Sequence, residues 1–497
     1  MLHRTTIGRY RRGALGIAVA AGLAAACLIP ATAASADEEG RGGGHHQPTP
    51  PYVAGDLMNY AVNAERANRG QTKQVERAVE AASGTVIAAY PELGVVIAQS
   101  DNANFAESVR RDRHVESAGA TRTVPVAETD PTYLGEPAQG LQRMQSRSEV
   151  AEGSQLEAVE EVVPDPREGE QWDMAAIGVP EAHAVTEGSD RVLVAVIDSG
   201  IDGDHPDLEA AVDQGASASC LSGVADGSYE SWQPTTSSHG THVAGTIAAQ
   251  RNGVGIVGVA PGARVSAVKV VNDDGYIFAE AAICGFMHAA ATGADISNNS
   301  YYVDPWMYWC GDDADQGAVL TAVTRAVEYS ERRGVLNVAA AGNASTDLAN
   351  KVSDDSSPND GTPVERPIDA GCLDIPTEVD GVVTVSSTQA DGAKSGFSNY
   401  GLGVIDVAAP GSAILSTIDG GGYGTSSGTS MASPHVAGVA ALLASTHPWA
   451  GPHELAKLLE RQAVDVPCPA DGVCTGEPRD NAYFGEGLVS AAAAVRR

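Results

Sequence analysis

The chain has 497 residues, 43% hydrophobic and 19% charged, a composition that excludes a disordered or fibrous protein and a small cysteine-stapled peptide. Asp and Glu number 64 against 31 Lys and Arg, and the formal charge of -33 repels nucleic-acid phosphates and anionic membranes, so neither is expected as a partner. Beyond the N-terminus no apolar run approaches the roughly 20 residues that span a bilayer.

Residues 1–36 hold Arg4, Arg9, Arg11 and Arg12, then the apolar run from Ala14 to Pro30, then Ala34-Ser35-Ala36 before Asp37. That order predicts a secretory signal peptide, a secreted (extracellular) product and no membrane contact after its removal. Cys27 leaves with the signal. Cys220, Cys284, Cys310, Cys372, Cys468 and Cys474 stay in an oxidising compartment, and an even set suggests three disulfides. Residues 37–55, with Gly42-Gly43-Gly44, Pro48, Pro50 and Pro51, read as a linker.

Residues 56–124 read as a small α+β domain of βαββαβ order. Strands are expected at Met58 to Val62, Val86 to Tyr90 and Gly94 to Gln99, helices at Gln71 to Ala82 and Phe105 to Arg111, and an extended piece at His114 to Val124. Residues 125–168 are acidic and proline-bearing, the composition of an exposed, cleavable connector. Within residues 169–497, near-continuous apolar strands recur at Arg191 to Ile197, Ala263 to Val271, Ala294 to Ser297, Val335 to Ala341, Val382 to Ser387 and Val404 to Ala408. Helical segments at Phe278 to Thr292, Ala318 to Arg333 and Ser430 to Ser445 separate several of them. Apolar runs without alternation indicate strands buried on both faces, and alternating β and α elements predict an α/β fold with a doubly wound, mostly parallel sheet. Sites in such sheets lie at the carboxyl ends of the strands.

Three residues near those ends could carry chemistry. Asp198 closes the strand in Val-Ile-Asp-Ser-Gly-Ile-Asp, His239 opens an apolar helix in Ser-His-Gly-Thr-His-Val-Ala-Gly, and Ser430 opens another in Gly-Thr-Ser-Met-Ala-Ser-Pro-His. Taken singly, each has a plain structural reading as a turn cap, a core histidine or an N-cap serine. Together they supply what serine attack requires: a nucleophile at a helix N-terminus, a base for its proton, and a carboxylate that fixes the tautomer of that base. His242, one turn further along the same helix, points elsewhere and reads as structural.

Asp-Ser-Gly-Ile, His-Gly-Thr-His-Val-Ala-Gly and Gly-Thr-Ser-Met-Ala-Ser-Pro-His, in the order Asp, His, Ser, resemble the signatures of the subtilase (subtilisin-like) serine peptidases. The resemblance runs from about Trp172 to Ala494 and extends to the small N-terminal domain, which resembles the subtilase propeptide. It implies a subtilisin-like catalytic domain after a ferredoxin-like propeptide domain that acts as chaperone and inhibitor. The product would be a monomeric, autoprocessed endopeptidase acting on protein or peptide substrates, with no cofactor for catalysis. Asn343 in Ala-Ala-Ala-Gly-Asn is implied as the oxyanion donor. Ser300, Tyr301, Tyr302, Ala341 and Gly342 are implied as substrate-binding residues. Tyr302 departs from a family glycine, and Val303 to Asp313 looks like an insertion carrying Pro305, Trp306, Trp309 and Cys310, which reshapes the pocket rim. A non-catalytic binding protein of the same fold, and an esterase sharing the triad, are the rival readings.

The resemblance also implies a structural Ca²⁺ site at Asp207 and Asn252, completed by carbonyls of Gln250, Val254 and Ile256, with Glu168 aligned to one further family ligand. An ordinary turn is the alternative. For the cysteines, Cys468 and Cys474 enclose a short loop, Cys310 and Cys372 are brought together by the resemblance, and Cys220 with Cys284 follows by elimination.

Overall fold

The computed structural model describes residues 55–134, 164–470 and 472–496. The expected signal peptide, all but the last residue of the linker, and the middle of the connector lie outside the described residues.

The small domain contains strands β1 (Met58–Ala64), β2 (Thr85–Tyr90), β3 (Val95–Ser100) and β4 (Val115–Ala120), with helix α1 (Arg69–Ala81) before β2 and α2 (Phe105–Arg110) before β4. The strands form an antiparallel sheet in the order β2-β3-β1-β4. The side chain of Asn68 caps α1 by accepting from Gln71 N, and α1 buries Thr72, Val75, Ala78 and Val79 at helical spacing. One face of the sheet packs with both helices around Val62, Val79 and Phe105. The opposite face, with Ala61, Val95 and Ile97, joins the core of the larger domain.

That larger domain is built on seven parallel strands: β5 (Leu193–Asp198), β6 (Ala218–Ser219), β7 (Arg264–Lys269), β8 (Ile296–Asn299), β9 (Leu336–Ala340), β10 (Val383–Thr388) and β11 (Val407–Pro410). Their order is β11-β10-β9-β8-β5-β7-β6. β5 is buried along its whole length, as its unalternating sequence requires. Helices α3 (His239–Ala248), α4 (Ala279–Thr292), α5 (Ala314–Arg332) and α6 (Thr429–Thr446) cover the sheet. The chain places β7 on one side of β5 and β8 on the other, so strand order reverses at β5. The crevice of a doubly wound sheet opens at such a reversal.

The elements differ from expectation in five places. α5 begins four residues before Ala318, because the Asp313 carboxylate accepts from Asp315 N and Gln316 N, both at 2.9 Å. β11 starts at Val407 instead of Val404, since residues 401–405 turn, with Val404 N donating to Gly401 O. A helix at Pro452–Gln462 and a hairpin at Ile414–Ile418 and Gly422–Ser426 carried no expectation. The extended piece expected to reach Val124 ends at Ala120, after which Val126 N donates to Leu57 O and turns the chain back onto its own domain.

The small domain sits on α4 and α5. Asn63 Nδ2 donates to Ala318 O (2.8 Å), Arg325 pairs with Glu116 (2.6 Å), and Arg110 pairs with Asp315. Arg122 is buried between Asp130 and Glu280, so the first residues of the stretch read as an exposed connector are packed instead; Val126 and Thr132 are buried as well. Three disulfides close the fold: Cys220–Cys284, Cys310–Cys372 and Cys468–Cys474.

Candidate active site

Asp198 ends β5 and is 1% exposed. Its neighbour Gly200 leaves β5 with φ +100°, and α3 then approaches so closely that a β-carbon on Gly240 would collide with the Gly200 carbonyl. This approach brings His239, the first residue of α3, onto the carboxylate: Nδ1 lies 2.8 Å from Asp198 Oδ1 and 2.9 Å from Oδ2. Ser199 braces the pair, because its hydroxyl accepts from Gly240 N (2.9 Å) and donates to Ser237 O (3.1 Å). Burial pushes the His239 imidazole down, but the charge of Asp198 and its hydrogen bond outweigh this and hold the ring above its ordinary value. His242 behaves oppositely. Buried with Nε2 3.1 Å from Ile414 O, it is held down at about 4 by desolvation and stays neutral.

Ser430 is the second residue of α6. Residue 434 is proline and has no N–H for the Ser430 carbonyl, so Ser300 Oγ donates to that carbonyl at 3.1 Å. Ser430 Oγ in return donates to Ser300 O at 3.3 Å. The two residues thus clasp the end of β8 to the mouth of α6. Among the described residues, Ser430 Oγ makes no hydrogen bond to His239.

Asn343 follows β9. Its Oδ1 accepts from Thr429 N (2.8 Å) and Thr429 Oγ1 (3.0 Å), which leaves the Nδ2 donor directed away from that contact. Thr429 Oγ1 also accepts from Gly342 N at 3.0 Å. Asn399 completes the support: Nδ2 donates to Ala341 O (2.8 Å), while Oδ1 accepts from Ala344 N (3.0 Å) and Thr346 N (2.9 Å). Gly342 has φ +94°, and a β-carbon there would press on Asn399 Nδ2 at 2.5 Å.

Asp198, His239, Asn343 and Ser430 share one cavity of about 520 Å³. Ser300, Tyr301, Tyr302 and Gly342 line it too. Ala341 does not, being fully buried with its N–H on Val385 O and its carbonyl on Asn399. No residue of the small domain lines the cavity among those described. Arg122 is held by Glu280 and Asp130, and Thr123 N donates to Asp360 (2.8 Å) at the rim, beside the lining residue Asn359. Ser199, Thr429 and Asn399 carry no signal in the sequence, because a single polar side chain with a remote partner has no periodicity to mark it.

The residues expected at a calcium site come together in part. Asp207 is fully buried; Oδ2 accepts from Ile256 N (3.1 Å) and Tyr423 OH (2.9 Å), and Oδ1 has no partner. Burial raises its carboxyl. Asn252 Nδ2 donates to Pro206 O (2.9 Å), and its Oδ1 accepts from Val254 N (3.1 Å). The carbonyls of Gln250, Val254 and Ile256 accept no backbone hydrogen bond among the described residues outside helices and strands. An orphaned buried carboxylate oxygen beside hard oxygen donors fits Ca²⁺. Glu168 does not join them, because its carboxylate pairs with Arg251 and accepts from Asp165 N (2.7 Å).

Residues 189–487 match the subtilase family. Subtilisin E of Bacillus subtilis is 34% identical over 325 residues, covering 65% of this chain and 71% of that protein. Fervidolysin of Fervidobacterium pennivorans is 34% identical over 326 residues, covering 60% of this chain and 40% of fervidolysin, so the match spans less than half of that relative. Its crystal structure superposes with a TM-score of 0.61 at 25% identity, over 90% of this chain and 62% of that one. The epidermin leader peptide processing serine protease of Staphylococcus aureus shares the fold, with a TM-score of 0.63 at 20% identity over 88% of this chain and 98% of that one. The chain belongs to the subtilase family, the subtilisin-like serine peptidases.

Proposed function

We propose that the protein is a secreted serine endopeptidase, made as a zymogen, that hydrolyses peptide bonds through an acyl-enzyme on Ser430. The observation that carries this reading is the His239–Asp198 pair facing the same cavity as Ser430 and the Asn343 amide. Ser430 Oγ turns from the Ser300 carbonyl toward His239 Nε2, gives that nitrogen its proton and attacks the scissile carbonyl carbon. Asp198 accepts from Nδ1–H, which keeps Nε2 free as the base and stabilises the imidazolium. Negative charge moves onto the carbonyl oxygen, where Asn343 Nδ2 and the backbone N–H of Ser430, at the N-terminus of α6, donate to it. His239 returns its proton to the departing amine as the C–N bond breaks. Water then attacks the ester, passing its proton through His239, and releases the acid with Ser430 restored.

Asn343→Ala removes one of the two oxyanion donors and leaves nucleophile and base in place. The expected loss in kcat on a peptide amide is about 10²–10³-fold, with a much smaller change in KM. A kcat within a factor of two of wild type removes Asn343 from the mechanism.

The small domain at residues 56–124 is proposed to assist folding, since it buries its sheet face against α4 and α5, and to hold the enzyme inactive until the connector is cut. Activity should then appear in step with the loss of that domain, as followed by N-terminal sequencing of the secreted protein; full activity in the uncut chain contradicts this.

Asp207 and Asn252, with carbonyls of Gln250, Val254 and Ile256, are proposed to hold a structural Ca²⁺ that supplies counter-charge to the buried Asp207 and ties the loop after α3 to the chain around residue 207. Binding to the folded form alone raises stability by mass action. Millimolar calcium should lengthen the half-life of thermal inactivation relative to chelator in wild type and have no effect in Asp207→Ala; equal half-lives throughout exclude the ion.

A further inference from the structure

The cavity wall near Gly342 carries two carboxyl groups that the proposed mechanism leaves idle. Asp374, two residues beyond the bridge at Cys372, is 3% exposed and lines the cavity. Its Oδ1 is buried with no hydrogen-bond partner. A β-carbon placed on Gly342 would stand 3.7 Å from Asp374 Oδ2, so the carboxylate lies across the bare backbone of the residue preceding Asn343. Asp304, also 3% exposed and on the wall, accepts from Ile277 N (2.5 Å) and Asn359 Nδ2 (2.6 Å).

Among the described residues no cation forms an ion pair with either group. The nearby cations are bound elsewhere: Lys351 pairs with Glu378, and Arg366 pairs with Asp354 at 2.7 Å. Glu378 accepts from Asp374 N (2.8 Å) while paired with Lys351, so that neighbour is a closed ion pair and offers no free cation to Asp374. Burial, then the charge of Glu378, raise the Asp374 carboxyl against the opposing charge of Lys351, and burial, with the charge of Asp360 adding to it, pushes Asp304 up to about 7. Two carboxyls kept at a substrate cavity without an ion-paired cation of their own cost stability in the empty protein, and a cation arriving with the substrate lowers that cost.

Gly342 lines the cavity beside Asn343 and Ser430 and faces Asp374, so a side chain adjoining a carbonyl held by Ser430 and Asn343 comes within reach of this wall. Met307 and Ala340 line the same cavity and suit an aliphatic stem. Resting on the peptidase reading above, we infer that Asp374 is a specificity-determining residue that receives the cationic head of a lysine or arginine on the acyl side of the cleaved bond, with Asp304 adding negative potential.

The test is kcat/KM over peptide amides that differ only at that residue. The Arg and Lys peptides should exceed the Phe and Leu peptides by on the order of 10²-fold, and Asp374→Asn should lower the Arg:Phe ratio by a similar factor. Should Asp374→Asn fail to fold, the wild-type series and the relative inhibition by arginal and phenylalaninal peptide aldehydes decide the matter alone. A wild-type preference for Phe or Leu, or an Arg:Phe ratio unmoved by Asp374→Asn, overturns the inference. Cleavage confined to the Phe and Leu peptides, with Ser430 labelled by a serine-directed phosphonate, overturns it while the peptidase reading stands. Absence of both cleavage and labelling removes that reading and the inference together.

Discussion

Ser430→Ala is expected to lower peptide hydrolysis on the order of 10⁶-fold, the scale found when subtilisin loses its nucleophile. The triad acts as one unit, so His239 and Asp198 have nothing to activate once the hydroxyl is gone, and only binding and the oxyanion donors remain. The fold should be indifferent to the change. Among the described residues the Ser430 hydroxyl makes one hydrogen bond, to Ser300 O at 3.3 Å, whereas the clasp from Ser300 Oγ runs to the Ser430 backbone and survives the substitution. The variant should therefore keep the wild-type melting temperature and, if processing is its own work, accumulate with residues 56–124 still attached. Turnover on a peptide amide, thermal unfolding and N-terminal sequencing check the three outcomes separately. Substantial turnover in a folded Ser430→Ala protein sinks the assignment.

The second large effect is expected at Asp198. Asp198→Asn preserves the volume of a side chain that is 1% exposed, but an amide nitrogen placed opposite Nδ1 favours the wrong tautomer of His239. A loss of about 10⁴-fold in kcat follows. The pH profile should move as well. His239 works as a base only when neutral, and its pKa is raised in the wild-type protein, so activity is present above that raised pKa and is lost as pH falls through it. The acid limb of kcat/KM therefore lies above the ordinary histidine value of about 6.5. Removing the Asp198 charge leaves desolvation acting alone and shifts the limb to lower pH. A limb unmoved by Asp198→Asn means that some other group sets it.

The long periodic elements were legible in the sequence, as were the residues closing them. β5 could be read because burial on both faces forces an unbroken apolar run, and Asp198 because it ends that run. His239 and Ser430 were legible because each opens an apolar helix within a long motif. The supports around them were not. Thr429 orients Asn343, Asn399 ties residues 341–346 together, and Ser300 replaces the donor that Pro434 lacks; each is a single polar side chain whose partner is remote in sequence. The path beyond Ala120 was misread for a related reason. Thr121 to Val124 reads as part of the extended piece, but Arg122 is captured by Glu280, a residue 158 positions away, and no local pattern announces that. The helix at Pro452–Gln462 was missed although Pro at its first position and buried Leu455 and Leu459, four apart, mark it. Asp374 reads in sequence as one acidic residue among 64, and only its burial without a partner sets it apart.

The central claim, that Ser430 is acylated through His239, is tested most directly by trapping the intermediate. The protein is mixed with an activated peptide ester, quenched in acid within milliseconds, and its digest examined by mass spectrometry. The account predicts the acyl group on the peptide containing Ser430 in wild type, and its absence from both Ser430→Ala and His239→Ala. Rapid peptide hydrolysis by wild type with the acyl group on another residue, or an adduct on Ser430 that forms as fast in His239→Ala, would contradict it.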